Sequence, residues 1–282
     1  MFKPDLLHNK RILVTGGGTG LGKAMGRRFL ELGARLVICG RRENVLAETK
    51  AEFDRDFAGR TTIHPCDIRD PDQVEAMVAR IWSEAGGLDI LINNAAGNFI
   101  ARTETLSHRA VDAVLGIVLH GTAYVTLACG KRWIADGRPA AVLSLVATYA
   151  WTGSAYVVPS AMGKAGVLAL MQSLAVEWGP KGIRCNAIAP GPFPTEGAWS
   201  RLVPNAEIET AWRARVPLGR FGRHDELADL AAFLVSDRAG FINGACVTID
   251  GGEWLKGAGQ FTLMERLSEA EWAAMASKKK GG

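Results

Sequence analysis

Charge of one sign is scarce in this chain. Thirty-three Lys and Arg stand against 29 Asp and Glu, a formal net charge of +4 over 282 residues. The basic residues are scattered, so a nucleic-acid surface is not expected. Most of these charges read as solvated helix faces, and a phosphate-bearing small ligand suits the mild excess better. Cysteine is sparse and odd in number. Cys39, Cys66, Cys129, Cys185 and Cys246 offer no Cys-x-x-Cys spacing, which argues against a disulfide framework and against a zinc site. They are expected to be reduced thiols buried as small hydrophobes in a cytoplasmic protein. The longest apolar run, residues 140–151, is too short for a membrane span. Residues 1–10 carry charge and Pro4 but no apolar signal region.

What is present is a globular composition, 48% apolar and 22% charged. Strand-length apolar runs alternate with helix-like stretches. Strands are predicted at 11–15, 35–39, 61–65, 88–93, 140–145, 184–189 and 245–249. Helices are predicted at 21–32, closed by Gly33, and at 43–57, 107–136, 160–178 and 225–236. Asp70 and Pro71 stand in the order expected for an N-cap and first helical residue, and open a further helix. Runs of Val, Ile and Leu without alternation mark strands buried on both faces. The pattern predicts an α/β Rossmann-type, doubly wound parallel sheet of about seven strands. With no internal repeat and no linker, residues 1–282 read as one domain, with a frayed tail over 277–282.

The first strand runs into Thr15-Gly16-Gly17-Gly18-Thr19-Gly20-Leu21-Gly22, immediately before a helix. Such a turn lets a backbone approach a pyrophosphate, which the helix N-terminus then holds. Gly16, Gly18, Thr19, Gly20 and Leu21 are the expected contacts. An NAD site would carry an acid after the second strand; this chain reads Cys39-Gly40-Arg41-Arg42. A guanidinium fork suits a 2′-phosphate, so Arg41 and Arg42 predict NADP(H), unless they merely open an exposed helix. Asp67 and Ile68 follow the third strand, where Asp67 is expected to accept from an adenine amino group. Asn94 and Ala95 follow the fourth, at the sheet edge where ligands lie; Asn and Gly also favour turns without any ligand.

Three motifs, Thr15-Gly16-x-x-x-Gly20-x-Gly22, Asn94-Ala-Ala-Gly97 and Pro190-Gly191-Pro-Phe193-Pro-Thr195, resemble the short-chain dehydrogenase/reductase family over nearly the whole chain. The resemblance implies that Pro190, Gly191, Phe193 and Thr195 lie beside the nicotinamide. It also exposes a departure. The family's Tyr-x-x-x-Lys appears as Ser160-Ala-Met-Gly-Lys164, and its upstream Ser is Ala147. A serine hydroxyl is a poor acid beside a phenol, so either the site is inactive or its acid comes from elsewhere.

The stretches 93–99, 148–154, 157–164 and 190–201, with Gly252-Glu253 and the tail to Trp272, resemble a subfamily, the mitochondrial-type 2,4-dienoyl-CoA reductases. There the tyrosine lies upstream, as Tyr149 does here, and Asn98 joins it. The resemblance implies NADPH-dependent reduction of a dienoyl thioester to a 3-enoyl-CoA in unsaturated fatty-acid degradation. Asn98 and Tyr149 would hold the thioester oxygen, Lys164 the nicotinamide ribose, and Ser160 would order the network. The proton comes from water or from Tyr149. Arg69, Phe99, Ser107 and Arg201 are the implied acyl-CoA contacts, segment 195–216 the substrate cover, and a homotetramer the implied assembly. His120 stands where the family has a helix-kinking Asn and is expected to pack in the core. Simpler roles remain open for the catalytic set: Tyr149 in solvent, Asn98 a turn residue, Ser160 an N-cap. A reductase of other enoyl-CoA or carbonyl substrates and a non-catalytic NADP-binding protein are the competing readings.

Overall fold

A computed structural model describes residues 2–197, 199 and 203–278. Seven strands form one sheet: β1 (Arg11–Thr15), β2 (Arg35–Gly40), β3 (Thr61–Pro65), β4 (Ile90–Asn93), β5 (Ala140–Leu145), β6 (Ile183–Pro190) and β7 (Cys246–Ile249). Their order is β3-β2-β1-β4-β5-β6-β7 and every pair is parallel. The helices are α1 (Gly20–Glu31), α2 (Glu43–Asp56), α3 (Pro71–Ala85), α4 (His108–Leu115), α5 (Thr122–Ala135), α6 (Tyr149–Thr152), α7 (Val158–Trp178), α8 (Ala206–Arg215), α9 (His224–Val235), α10 (Glu253–Ala258) and α11 (Glu269–Lys278).

The unalternating strands explain the two-faced sheet. Ile12 and Val14 of β1 join a cluster with Met25, Phe29, Leu227 and Ala231 of α1 and α9. Leu13, pointing the other way, joins Val78, Val125, Trp133 and Trp178 of α3, α5 and α7. Leu36 and Ile38 against Val37, and Ile90 and Ile92 against Leu91, divide in the same way. Each such side chain contributes about 1.5–3 kcal/mol on burial, which fixes strand register on both faces at once. Four cysteines are buried thiols and Cys246 is half-buried.

The local signals hold where a cap is present. Asp70 accepts from the amides of Asp72 and Gln73, and Pro71 opens α3. Ser107 caps α4, accepting from Ala110 N at 3.2 Å. The predicted single helix over 107–136 is corrected: Gly116–Gly121 is a π-helical turn between α4 and α5. Ile68 presses on this turn, since a Cβ at Gly121 would lie 2.6 Å from Ile68 Cγ1. His120 is also corrected. It is exposed on the turn, its ring centroid 6.2 Å from that of Tyr124, rather than packed in the core. The run His108–Ala135 is long and apolar enough to cross a bilayer, yet half of it is buried in the fold, as in a core helix. Helices α6, α8, α10 and α11 were not predicted.

Candidate active site

The strand order reverses between β1 and β4, the place where open α/β sheets bind ligands. The glycine turn leaves β1 there and the Asn94 loop leaves β4 beside it. Thr15 ties the two together: its hydroxyl accepts from Asn94 N and Ala95 N, both at 3.0 Å. The Asn94 side chain donates back to Thr15 O at 2.9 Å and Gly16 O at 3.2 Å. Asn94, expected as a cofactor contact, therefore also braces the turn. The turn needs glycine for two reasons. Gly16 has φ +65°, and a Cβ at Gly22 would lie 2.4 Å from Gly16 O.

A long groove opens from this turn. Gly16, Gly18, Thr19, Gly20 and Leu21 form its floor, with Asn94 and Ala95 beside them. Arg41, Arg42, Asp67 and Ile68 also line it, as do Phe193 and Thr195, the latter against Gly20 of the floor. Both arginines are exposed, and neither is spent on an ion pair among the described residues. This cradle fits a dinucleotide: a glycine floor at a helix N-terminus for the pyrophosphate, guanidiniums at the end of β2 for a further anion. Asp67, expected on adenine, and Arg69, expected on an acyl-CoA phosphate, bond each other here, Arg69 Nε lying 2.9 Å from Asp67 Oδ1. That guanidinium holds the Asp67 carboxyl below its usual range. His224, absent from the expected site residues, lines the groove and bonds Pro194 O at 2.6 Å through Nε2, holding the loop that follows β6. Pro190 and Gly191 lead from β6 into that loop.

The catalytic candidates collect past the ends of β4 and β5. Tyr149 starts α6, and its hydroxyl meets Ser160 Oγ at 3.1 Å. Ser160 is buried in α7, three residues past the cap position Val157, so it is not the N-cap. Burial pushes the Tyr149 phenol above its ordinary value, against the pull of the Ser160 bond; it stays protonated at neutral pH. Lys164 lies one helical turn beyond Ser160, is buried, and donates to Leu145 O at the end of β5. Burial lowers its pKa from 10.5 to about 8. Asn98 sits in the loop after β4. Its Oδ1 accepts from Phe99 N at 2.9 Å, which leaves the amide NH₂ to donate. Ala101 N donates to Tyr156 O at 3.0 Å, tying the Asn98 loop to the segment that follows Tyr149. Tyr156 adopts φ +67° there, a strained conformation for a non-glycine. Among the implied acyl-CoA contacts, Ser107 is exposed and occupied as a helix cap, Phe99 is half-buried in the Asn98 loop, and Arg201 lies outside the described residues.

A dinucleotide groove and a Tyr–Ser–Lys set at the carboxyl edge of a parallel sheet define a nicotinamide-dependent oxidoreductase. The family model described as enoyl-(acyl carrier protein) reductase matches residues 16–253, and the chain belongs to the short-chain dehydrogenase/reductase family. It is similar to a probable 2,4-dienoyl-CoA reductase [(2E)-enoyl-CoA-producing] of Bacillus subtilis, 44% identical over 88% of this chain and 98% of that protein. It is also similar to probable 2,4-dienoyl-CoA reductase 3 [(3E)-enoyl-CoA-producing] of Caenorhabditis elegans, 44% identical over 90% of this chain and 83% of that protein. The crystal structure of a short chain dehydrogenase from Bacillus anthracis shares 45% identity over 87% of this chain and 96% of that one, with TM-score 0.80. That of a putative 2-deoxy-D-gluconate 3-dehydrogenase from Agrobacterium tumefaciens with bound NADP shares 32% identity over 90% of this chain and 100% of that one, with TM-score 0.82.

Proposed function

We propose that the protein is an NADPH-dependent 2,4-dienoyl-CoA reductase that produces a 3-enoyl-CoA in unsaturated fatty-acid degradation. The observation that carries this reading is the Tyr149–Ser160 bond at 3.1 Å: the phenol missing from position 160 enters the same site from α6. The names of the relatives support the substrate class.

NADPH, when bound, supplies a hydride to the far end of the conjugated diene. Negative charge then gathers on the thioester oxygen, where a donor matters most. The Asn98 amide, oriented by Phe99 N, and the neutral Tyr149 hydroxyl, oriented by Ser160, donate to that oxygen. Lys164, as a buried cation, would hold the nicotinamide ribose and add positive potential. A proton at the carbon next to the thioester completes the 3-enoyl product; a proton two carbons further along gives the 2-enoyl isomer. Reaction of 2,4-hexadienoyl-CoA in D₂O tests this. The expected product is 3-hexenoyl-CoA with deuterium at C2. A 2-enoyl product with deuterium at C4 contradicts the assigned protonation.

Arg41 and Arg42, with no acid at the end of β2, support NADP(H). Arg41→Ala is expected to weaken NADPH binding by about 1–3 kcal/mol, the size of a charge-assisted bond, while NADH changes little. Equal losses in titrations of both nucleotides would show that Arg41 does not read the 2′-phosphate. A homotetramer belongs to the same reading, supported by exposed Met162 and Val176 on α7 and Leu127 on α5.

A further inference from the structure

Helix α6 is four residues long and carries Tyr149, yet a single turn holds no conformation by itself. On one side the Ser160 bond fixes it. On the other side, Trp151 of α6 meets Trp254 of α10 edge-on, with ring centroids 5.7 Å apart and planes at 86°. The neighbour of Trp254, Glu253, accepts the Trp212 indole N–H of α8 at 2.8 Å. Trp212 in turn stacks on Trp199 at 5.3 Å, and Trp199 N donates to O of the groove residue Thr195 at 2.9 Å. Two adjacent residues of α10 thus touch both the tyrosine-bearing helix and the segment that continues from the nicotinamide loop.

The pair is itself held rigidly. Asp250, at the end of β7, accepts from Gly252 N at 2.9 Å and from Trp254 N at 2.8 Å. Gly251 and Gly252 take φ +65° and +87°, and a Cβ at Gly251 would lie 2.6 Å from Val216 Cγ1. The sheet therefore delivers Glu253 and Trp254 to one position through a turn that only glycine allows.

We propose that Glu253 and Trp254 are positioning residues for the reductase reaction: Trp254 holds Tyr149 in place through Trp151, and Glu253 holds the α8 substrate cover in place through Trp212. The proposal rests on the reading of Tyr149 as the thioester-oxygen donor and of α8 as part of the cover. The contact with Trp151 works through the ring edge. The Trp254 indole N–H is buried without a hydrogen-bond partner, so Trp254→Phe should keep the contact and Trp254→Ala should lose it. Glu253 is half-buried, with Arg215 Nε 3.8 Å away and Asp250 nearby; removing its carboxylate frees the Trp212 indole.

The test joins steady-state kinetics with amide hydrogen exchange on the full chain. Trp254→Ala is expected to lower kcat for 2,4-hexadienoyl-CoA on the order of ten-fold, the effect of a small misplacement of an oriented group. NADPH affinity should hold, exchange should quicken across residues 148–157, and Trp254→Phe should restore both. Trp151→Ala/Trp254→Ala should lose no more than either single variant, because both remove one contact. Glu253→Ala should raise KM for the thioester more than it lowers kcat, with faster exchange across 206–215. Unchanged exchange at 148–157 in Trp254→Ala overturns the proposal, whatever the activity. So does a fall in NADPH affinity parallel to kcat, which marks general damage. If Tyr149→Phe keeps full turnover, the functional reading fails, and the exchange data still decide whether Trp254 holds α6.

Discussion

Replacing Tyr149 with Phe is expected to cut turnover of a dienoyl thioester on the order of 10²-fold or more while leaving NADPH binding unchanged. Removing one preorganised donor from a developing oxyanion costs about 3 kcal/mol in the transition state. The substrate thioester carries far less charge on that oxygen, so KM should move less than kcat. Ser160→Ala should do less harm. It removes the partner that aims the phenol at 3.1 Å, not the donor itself. Full turnover in Tyr149→Phe, measured as NADPH oxidation, would remove the tyrosine from the mechanism.

The second large effect concerns Lys164. Its fall from 10.5 to about 8 on burial corresponds to roughly 3 kcal/mol spent on keeping the ammonium away from water. The sign follows from proton counts. Below pH 8 both folded and unfolded chains carry the charge, and the folded chain bears the full cost. Between pH 8 and 10.5 the unfolded chain holds more protons, so stability of the ligand-free protein rises with pH across that window. Lys164→Met should therefore stabilise the ligand-free chain at pH 7 by about 1–2 kcal/mol, after allowing for the lost bond to Leu145 O. The gain should shrink as pH approaches 10.5. Activity should fall sharply in the same variant, a trade of function against stability. In the wild type, kcat/KM should decline as pH rises through about 8, where the free enzyme loses this cation. Tyr149 does not supply that limb, because burial moves its titration upward. Denaturant melts at pH 7 and 10, beside the pH–rate profile, check both halves.

The parts of the site made by backbone were legible in the residues. A turn with positive φ at Gly16 and backbone contact at Gly22 accepts only glycine, so its function is written in residue type. The strands were legible because burial on both faces demands unbroken apolar runs, and Asp70-Pro71 marked a helix start by cap chemistry. What stayed hidden has no local signature. Helix α6 is too short for a periodic pattern, and its place is set by Ser160 and Trp254 from distant parts of the chain. The π turn at Gly116–Gly121 packs against Ile68 from a distant part of the chain and has no local signature, and His120 on it is exposed. Helices α8 and α11 expose most of their surface, so periodicity gave no clear face. Asp67 and Arg69 illustrate a different limit. Each suits a ligand by type, and only coordinates reveal that they pair with each other.

In the proposed function this site reduces a conjugated thioester instead of a plain carbonyl. Initial rates of NADPH oxidation with 2,4-hexadienoyl-CoA, crotonyl-CoA and a simple ketone, compared at equal enzyme concentration, test it most directly. Turnover with the dienoyl thioester is expected to lie well above both others. Faster turnover of the ketone or crotonyl-CoA, or no oxidation with 2,4-hexadienoyl-CoA, would contradict it.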